Sequence, residues 1–583
     1  MSGISGEITR NADFIYNTNT TQTMTFNIKN EEYIVLFDGE LYNSTELKHE
    51  LETLGYKFIN HFNSDTEIIT YSYIEWKEHA VKKLNGVFAF AVWEKNNKKL
   101  FCVRDRIGVK PFFYTIKNNR FLFASKIKTL LEPPEITAEI NEQSIAEILL
   151  IGPGRTPGYG VFKNINELEP ATWGIFENNE FIKHKYWDFT DCIHTDNFEQ
   201  TKEKVQFLVT DSIKRQIILK NTNTKISTLL SGGLDSSIIT SVTAKYFKEN
   251  GQKLLSFSVD YKDNAKYFTA NKFQPGSDNE YIGIMKNYLK SEYFEHHRII
   301  LDTQNLADAL YLAVDARDLP GMADVDSSLL LFCKEIKNFT DIALSGESAD
   351  EIFGGYPWYR DKTIRDEHGF PWSKSTEYRK TFFKGDFGFI SADNYILNRY
   401  LKAVNESDIS KTFDKTEKRI KELVNLNIKW FMQTLLERQN RMSEYSGIQI
   451  RAPFCDYRIA EYLYNVPWEY KDYSNTEKGL LRETFKNQLP DEVLMRKKSP
   501  YPKTHNPEYL NIVSKILSEI INEPSSPLLK IVKKEALENL IKNSTSEKAA
   551  VVPWYGQLMT TPQTVAYFIQ INYWLEKYKI KIV

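Results

Sequence analysis

Residues 225–247 read KISTLLSGGLDSSIITSVTAKYF, and this stretch decides the fold. Apolar and β-branched residues up to Leu230 form a strand, and from Asp235 onward the apolar spacing is helical. The turn between them, Ser231 to Ser237, holds two glycines, three serines and one aspartate. A strand–turn–helix of this kind presents successive backbone N–H groups at a helix N-terminus, which suits an anion. Gly232 and Gly233 let the backbone approach closely, and Ser231, Ser236 and Ser237 add hydroxyl donors. Asp235 repels a bare phosphate, so its presence calls for a Mg²⁺ that bridges the two. The G-x-x-x-x-G-K-[ST] loop of common ATPases is absent. A capped helix after a tight turn is the reading that needs no ligand.

Working outward, apolar strands alternate with helices: KISTLL (225–230), KLLSFSVDY (253–261), HHRIIL (296–301) and FTDIALSG (339–346), after a helical run at 195–217. This order predicts a parallel, doubly wound sheet from about residue 195. Residues 365 to 583 read as mostly helical and aromatic. Residues 1 to about 190 have a different texture, with short β-rich runs such as EEYIVLFDGELY (31–42). KNNK (95–98) and KNNR (117–120) each stand as a hairpin turn between two such runs. Helices are predicted at STELKHELETLG (44–55) and DTEIITYSYIEW (65–76). The expected organisation is therefore two domains, 1–190 and 195–583.

The chain has 583 residues, 42% hydrophobic and 26% charged, with a net charge of -2. That is the composition of a globular protein without a basic footprint, which argues against nucleic acid as a partner. Cys102, Cys192, Cys333 and Cys455 lie far apart, so neither a zinc site nor a disulfide framework is expected. No apolar run suits a signal peptide or a membrane span, so the expected location is the cytoplasm, without membrane association.

SGGLDSS (231–237) resembles the pyrophosphate loop of the ATP pyrophosphatases, and LSGESADEIFGGYPWY (344–359) resembles the asparagine synthetase branch of them. RAPFCDYR (451–458), MRKKSPYPKTHNP (495–507) and PQTVAYFIQINYWLEKY (562–578) extend the resemblance over nearly the whole chain. The fold it implies is an N-terminal α+β, Ntn-type sandwich of the class II glutaminase kind, followed by a C-terminal α/β ATP-pyrophosphatase domain with helical additions. By the same resemblance, Ser231, Gly232, Gly233, Asp235, Ser236 and Ser237 hold pyrophosphate. Leu229, Val259, Ser345 and Gly346 line the adenosine pocket, and Asp235 and Asp350 position Mg²⁺. Lys498 matches the cation that stabilises the pentavalent transition state, with Lys497 beside it as an alternative. Glu347 matches the base that takes a proton from the attacking nitrogen. The β-lactam-forming relatives carry tyrosine there, so Glu347 points to ammonia as the attacking group.

DGELYNSTEL (38–47), NSDTE (63–67), LNGVFAFAVWE (84–94) and RDRIGVKPFFY (104–114) resemble a class II glutaminase. In that family a cysteine follows the initiator methionine and attacks glutamine with its own α-amine as base. Here the second residue is Ser2, a far weaker acid than a thiol of pKa about 8.5. The family's oxyanion asparagine, in N-G-E, is replaced in Asp38-Gly39, which puts a negative charge where an oxyanion develops. Several tens of residues that carry the glutamine clamp are missing, and the chain runs straight through residues 9–30. Asp65, which matches the contact to the glutamine amine, is present. These departures imply a decayed glutaminase.

The implied reaction joins a carboxylate to ammonia with ATP and Mg²⁺, giving an amide, AMP and pyrophosphate. Aspartate is the default carboxylate. Partners the reading admits are ammonia or an amine, a separate protein that delivers ammonia, and a second copy of the chain. The alternatives are a ligase or cyclase that joins an amine to an activated carboxylate on a peptide or specialised metabolite, and a nucleotide-binding scaffold without catalysis. Intact Asp235, Glu347, Asp350 and Lys498 count against the scaffold.

Overall fold

Asparagine-rich turns set the register of the first half. Asn118 and Asn119 adopt left-handed backbone, with φ of 54° and 58°, the geometry of a two-residue hairpin. The strands Phe113–Lys117 and Arg120–Ala124 pair antiparallel across them. The turn at 95–98 likewise joins Gly86–Glu94 to Lys99–Arg104. The structure is a computed structural model that describes residues 3–17, 23–28, 30–58, 64–218, 224–268, 276–384, 391–544 and 552–583.

The strands of the first half form two sheets. One has five strands in the order Asn166–Glu167, Phe113–Lys117, Arg120–Ala124, Ser5–Ile8, Phe14–Tyr16. The other has six, in the order Glu180–Lys185, Thr172–Glu177, Lys99–Arg104, Gly86–Glu94, Glu31–Leu41, Thr23–Ile28. Strand Glu31–Leu41 serves two cores at once. Ile34 and Leu36 join Trp93, Cys102, Phe121 and Phe123 between the sheets. Tyr33, Val35 and Phe37 instead join Leu47, Leu51, Ile68 and Ile69 of the helices Ser44–Thr53 and Asp65–Trp76. Burial on both faces is why YIVLF is apolar without interruption, where a half-exposed strand would alternate. The third core is shared by both halves. Phe113, Leu122 and Ala124 of the five-stranded sheet belong to one apolar cluster with Leu149, Val565, Phe568 and Trp574. The sandwich therefore completes its outer layer with helices of the second half, including Thr561–Lys577.

The second half is built on a parallel sheet, as the alternation of strands and helices predicts. Its order is Phe294–Leu301, Leu254–Tyr261, Ile226–Leu229, Ile342–Leu344, Gln449–Arg451, and every neighbouring pair is parallel. The edge strand Gln449–Arg451 lies in the region that reads as helical; three residues are too few to register a period. From Ile226–Leu229 the chain winds first to one side of the sheet and later to the other. The loops after Ile226–Leu229 and Ile342–Leu344 therefore diverge and leave a crevice at their carboxyl ends, the place where open α/β sheets bind ligands.

A long helix crosses from this sheet to the first half. It runs Lys415–Leu426, widens by one residue per turn over Asn427–Phe431, and continues as Met432–Tyr445. The last strand, Lys581–Ile582, pairs in parallel with Glu139–Ile140. Among the described residues no helix is long and apolar enough to cross a membrane.

Candidate active site

The loop that leaves Ile226–Leu229 is shaped by Gly232, whose φ is +71°. A Cβ there would lie 2.8 Å from Cβ of Tyr281 and 2.9 Å from the backbone nitrogen of Ile282, so the glycine is needed for packing as well as conformation. The Ser231 and Ser236 hydroxyls are 3.0 Å apart, and the Ser231 N–H donates to Ser236 Oγ at 3.2 Å. Helix Leu234–Glu249 starts at Gly233 with no side-chain cap, which leaves its first amides for an anion. Arg496 braces the loop: its Nη1 donates to the Ser231 carbonyl at 3.0 Å, and Nη2 pairs with the Asp278 carboxylate.

Four charges meet beside this loop. The Lys478 ammonium lies 2.7 Å from Asp235 Oδ2 and 2.9 Å from Asp350 Oδ1, and the Lys498 ammonium pairs with Asp350 Oδ2. Burial opposes ionisation of Asp350, yet the two ammonium groups hold its carboxyl far below the usual carboxylate range. Burial likewise opposes charge on Lys478, and Asp235 and Asp350 override it and hold its pKa above the ordinary lysine value. Gly355 makes room, since a Cβ there would stand 2.0 Å from Asp350 Oδ1. Lys497 is exposed, so of the two neighbouring lysines it is Lys498 that reaches the carboxylates.

Glu347 sits on the loop after Ile342–Leu344, its N–H donating to Ser345 Oγ at 3.3 Å. Its Oε2 accepts from Nη2 of Arg438 at 3.2 Å. Arg438 is buried on helix Met432–Tyr445, with its guanidinium 4.7 Å over the Tyr501 ring.

These groups share one cleft of about 240 Å³ at the crevice described above. Leu229, Ser231, Gly233, Asp235 and Ser236 line it from the first loop, and Val259 from the neighbouring strand. Ser345, Gly346, Glu347 and Asp350 line it from the second loop, and Lys498 closes it. Two expected residues are not in the wall. Gly232 is turned against Tyr281, and Ser237 is fully buried with its N–H donating to the Gly233 carbonyl at 3.0 Å. The turn of helix that aims Ser236 at the cleft points Ser237 into the core. Lys478 and Arg438 escape a sequence reading, since each lies in a charged stretch that reads as solvated surface; Arg496 lies in the 495–507 segment quoted above, but nothing local marks its partners.

Among the described residues no cluster of three or more His, Cys, Asp or Glu could hold a metal by itself. Asp235 and Asp350 supply two carboxylates that converge on one ammonium. This donor set fits a Mg²⁺ that takes its other ligands from phosphates and water.

The first half has its own buried polar cluster. Ile4 N donates to Ser125 Oγ at 2.9 Å, and Ser125 Oγ donates to Asp38 Oδ2 at 3.5 Å, so Asp38 lies one side chain from the N-terminal strand. Its charge is not left bare: Lys110 Nζ lies 3.0 Å from Asp38 Oδ1 and 2.6 Å from Glu444 Oε1. Gly39, with φ +147°, leaves no room for a Cβ beside the Val87 carbonyl, 2.1 Å away. Asp65 Oδ2 accepts from the Leu41 N–H at 3.1 Å. Ser2 lies outside the described residues.

An asparagine synthase family model matches residues 204–576, and a glutamine amidotransferase domain model matches residues 12–187. "Asparagine synthetase [glutamine-hydrolyzing] 3" of Bacillus subtilis (strain 168) is 42% identical over 563 residues, which covers 96% of this chain and 90% of that protein. "Asparagine synthetase [glutamine-hydrolyzing] 1" of the same organism is 26% identical, covering 89% and 83%. "Asparagine synthetase [glutamine-hydrolyzing]" of Mesocricetus auratus is 26% identical, covering 81% and 72%.

Proposed function

The chain belongs to the asparagine synthase family, and from that premise and the cleft geometry we propose the steps by which it acts as an ATP-dependent carbon–nitrogen ligase. Residues 195–583 carry two steps. In the first, a carboxylate oxygen attacks the α-phosphorus of ATP, pyrophosphate leaves, and an acyl-adenylate forms. In the second, ammonia attacks the acyl carbon, AMP leaves, and the nitrogen loses a proton.

The observation that carries this reading is the convergence of the two loops and two lysines in one cleft. The amides at the start of helix Leu234–Glu249, with Ser231 and Ser236, suit the β- and γ-phosphates. Leu229, Val259, Ser345 and Gly346 wall the part of the cleft suited to adenosine. Lys498 stands where negative charge builds on the leaving pyrophosphate, and Lys478 keeps Asp235 and Asp350 compensated until the nucleotide arrives. Mg²⁺, held by Asp235 and Asp350, would supply Lewis-acid neutralisation of the phosphates. Glu347, oriented by Arg438, takes the proton released in the second step.

Aspartate is the proposed carboxylate and free ammonia the proposed nitrogen source, with residues 1–190 no longer acting as a glutaminase. The ion pair of Asp38 with Lys110 supports this, because it fills the oxyanion position with a neutralised carboxylate where a donor is required. The relatives' names carry glutamine hydrolysis, so the nitrogen source is decided by assay. ATP-dependent pyrophosphate release is screened over carboxylates, with ammonia or glutamine supplied. Sustained release with aspartate and ammonia, and no turnover beyond a single stoichiometric burst with aspartate and glutamine, is the expected pattern; equal steady rates with both donors would overturn the decayed-glutaminase reading.

A further inference from the structure

Helix Met432–Tyr445 has two working faces. One meets the first half of the chain at intervals of three or four residues. Gln433 Nε2 donates to the Ile107 carbonyl at 2.6 Å, and Glu437 Oε1 lies 3.4 Å from Arg155 Nη2. Arg441 Nη2 donates to the Ser125 carbonyl at 2.7 Å, and Glu444 pairs with Lys110. The other face puts Leu435, Arg438 and Gln439 into the wall of the cleft.

We propose that Asp38, Lys110 and Glu444 are positioning residues for the amide-forming step: their buried ion triad fixes the helix that presents Arg438 to Glu347. The side chains of Asp38, Lys110 and Glu444 are 4%, 8% and 9% exposed. A buried ammonium between two carboxylates ties both to one point: removing either carboxylate cuts the tie between the halves, and removing Lys110 leaves two buried carboxylates unpaired. Burial disfavours charge on Lys110, yet Asp38 and Glu444 hold its pKa above the ordinary lysine range. Burial also disfavours charge on Glu444, and Lys110 holds that carboxyl below its ordinary value, whereas at Asp38 burial outweighs Lys110 and the carboxyl is raised. Glu444 lies six residues from Arg438, roughly 9 Å along the helix axis, so a shift at one end is carried to the other. Ser125 strengthens the joint: its hydroxyl donates to Asp38 and its carbonyl accepts from Arg441.

The position that matches a glutaminase's oxyanion asparagine thus becomes part of a joint between the halves. The inference rests on the amide-forming reading of the cleft for its kinetic readout. The test uses the full chain and two assays: ATP–pyrophosphate exchange with aspartate alone, and amide formation with aspartate and ammonium chloride. Glu444→Gln and Asp38→Asn should each lower kcat for amide formation by about ten- to a hundredfold and leave exchange little changed. Glu444→Asp, which keeps the carboxylate, should recover most of the loss. Amide formation at the wild-type rate overturns the proposal, and so does a parallel fall of both steps with the melting temperature. Should a single variant fail to fold, the neutral set Asp38→Asn, Lys110→Met, Glu444→Gln replaces it: the same split supports the proposal, and wild-type behaviour overturns it. A wild-type chain inactive with every carboxylate would refute the reaction, not the joint. Hydrogen exchange then decides: faster exchange of the 432–445 amides in Asp38→Asn supports the proposal, and unchanged protection overturns it.

Discussion

The ammonium of Lys478 grips both oxygens of Asp235, at 2.8 and 2.7 Å, across 243 positions of sequence. The same nitrogen reaches Asp350, so it occupies the point on which both carboxylates converge. Removing it leaves two buried carboxylates with Lys498 alone. Lys478→Met should reduce ATP–pyrophosphate exchange by about 100- to 1000-fold and lower the Mg²⁺ concentration needed for half-maximal rate, because no ammonium then competes for the two carboxylates. Exchange at the wild-type rate over a full Mg²⁺ titration would show that Lys478 is a spectator.

Lys498 and Lys497 make a matched pair for a second test. Lys498→Ala and Asp235→Ala should each abolish adenylation, since each removes charge compensation worth several kcal/mol at the phosphates. Lys497→Ala should stay near wild type, because it lines the cleft with an exposed side chain and it is Lys498 that pairs with Asp350. The nucleotide product of the active forms should be AMP with pyrophosphate; ADP would rule out the two-step route.

Glu347→Gln should separate the half-reactions. Exchange persists, and amide formation falls by about 100- to 10,000-fold for loss of a general base. Arg438→Met should give a weaker version of the same split, since Glu347 remains but loses its partner at 3.2 Å. A joint loss of both steps in Glu347→Gln would move the base elsewhere.

Glutamate release from glutamine should be negligible with or without ATP and aspartate. Ser2→Cys alone should not restore it, because Asp38, which matches the family's oxyanion asparagine, remains paired with Lys110, and one lost donor lowers such a rate about 100- to 1000-fold. Robust release by Ser2→Cys would mean that the pocket is intact and Ser2 an isolated change.

Acid sensitivity should trace to His296, whose ring nitrogens meet Ser256 Oγ at 2.8 Å and Ser258 Oγ at 3.0 Å. Burial, with Lys286, His297 and Arg298 nearby, pushes its pKa down to about 4. The unfolded chain therefore binds a proton below about pH 6.5 that the folded chain refuses. Its contribution to stability is complete above that pH and is lost as pH falls toward 4, by about 3 kcal/mol in all. Urea midpoints between pH 4 and 7 should slope less in His296→Leu than in wild type; identical slopes would exclude His296 as the source.

Local signals carried much of the fold. DTEIITYSYIEW forms a helix over Asp65–Trp76, and the alternation of strands and helices announces the parallel sheet, because periodicity records which face of an element is buried. Chemistry written within one turn is also legible at Ser231, Asp235 and Ser236, and the resemblance adds Glu347 and Asp350 from a second loop; all five meet in one cleft. What failed to show is what long-range pairing decides. Lys478 and Arg438 are single charges in polar stretches, Lys110 is one between apolar neighbours, and each acquires meaning from a carboxylate 91 to 334 positions away. Ser237 shows the opposite error: a motif lists it beside Ser236, but one residue of helix is a rotation of about 100°, enough to bury it.

The apolar cluster that joins Phe113 and Leu122 to Phe568 and Trp574 constrains descent as well as folding. A separable module can be deleted from a gene in one event once its chemistry is idle. Here deletion of the first 190 codons would expose apolar faces on Thr561–Lys577 and leave Glu444 and Glu437 without Lys110 and Arg155. Selection on the ligase half alone would then be enough to preserve residues 1–190.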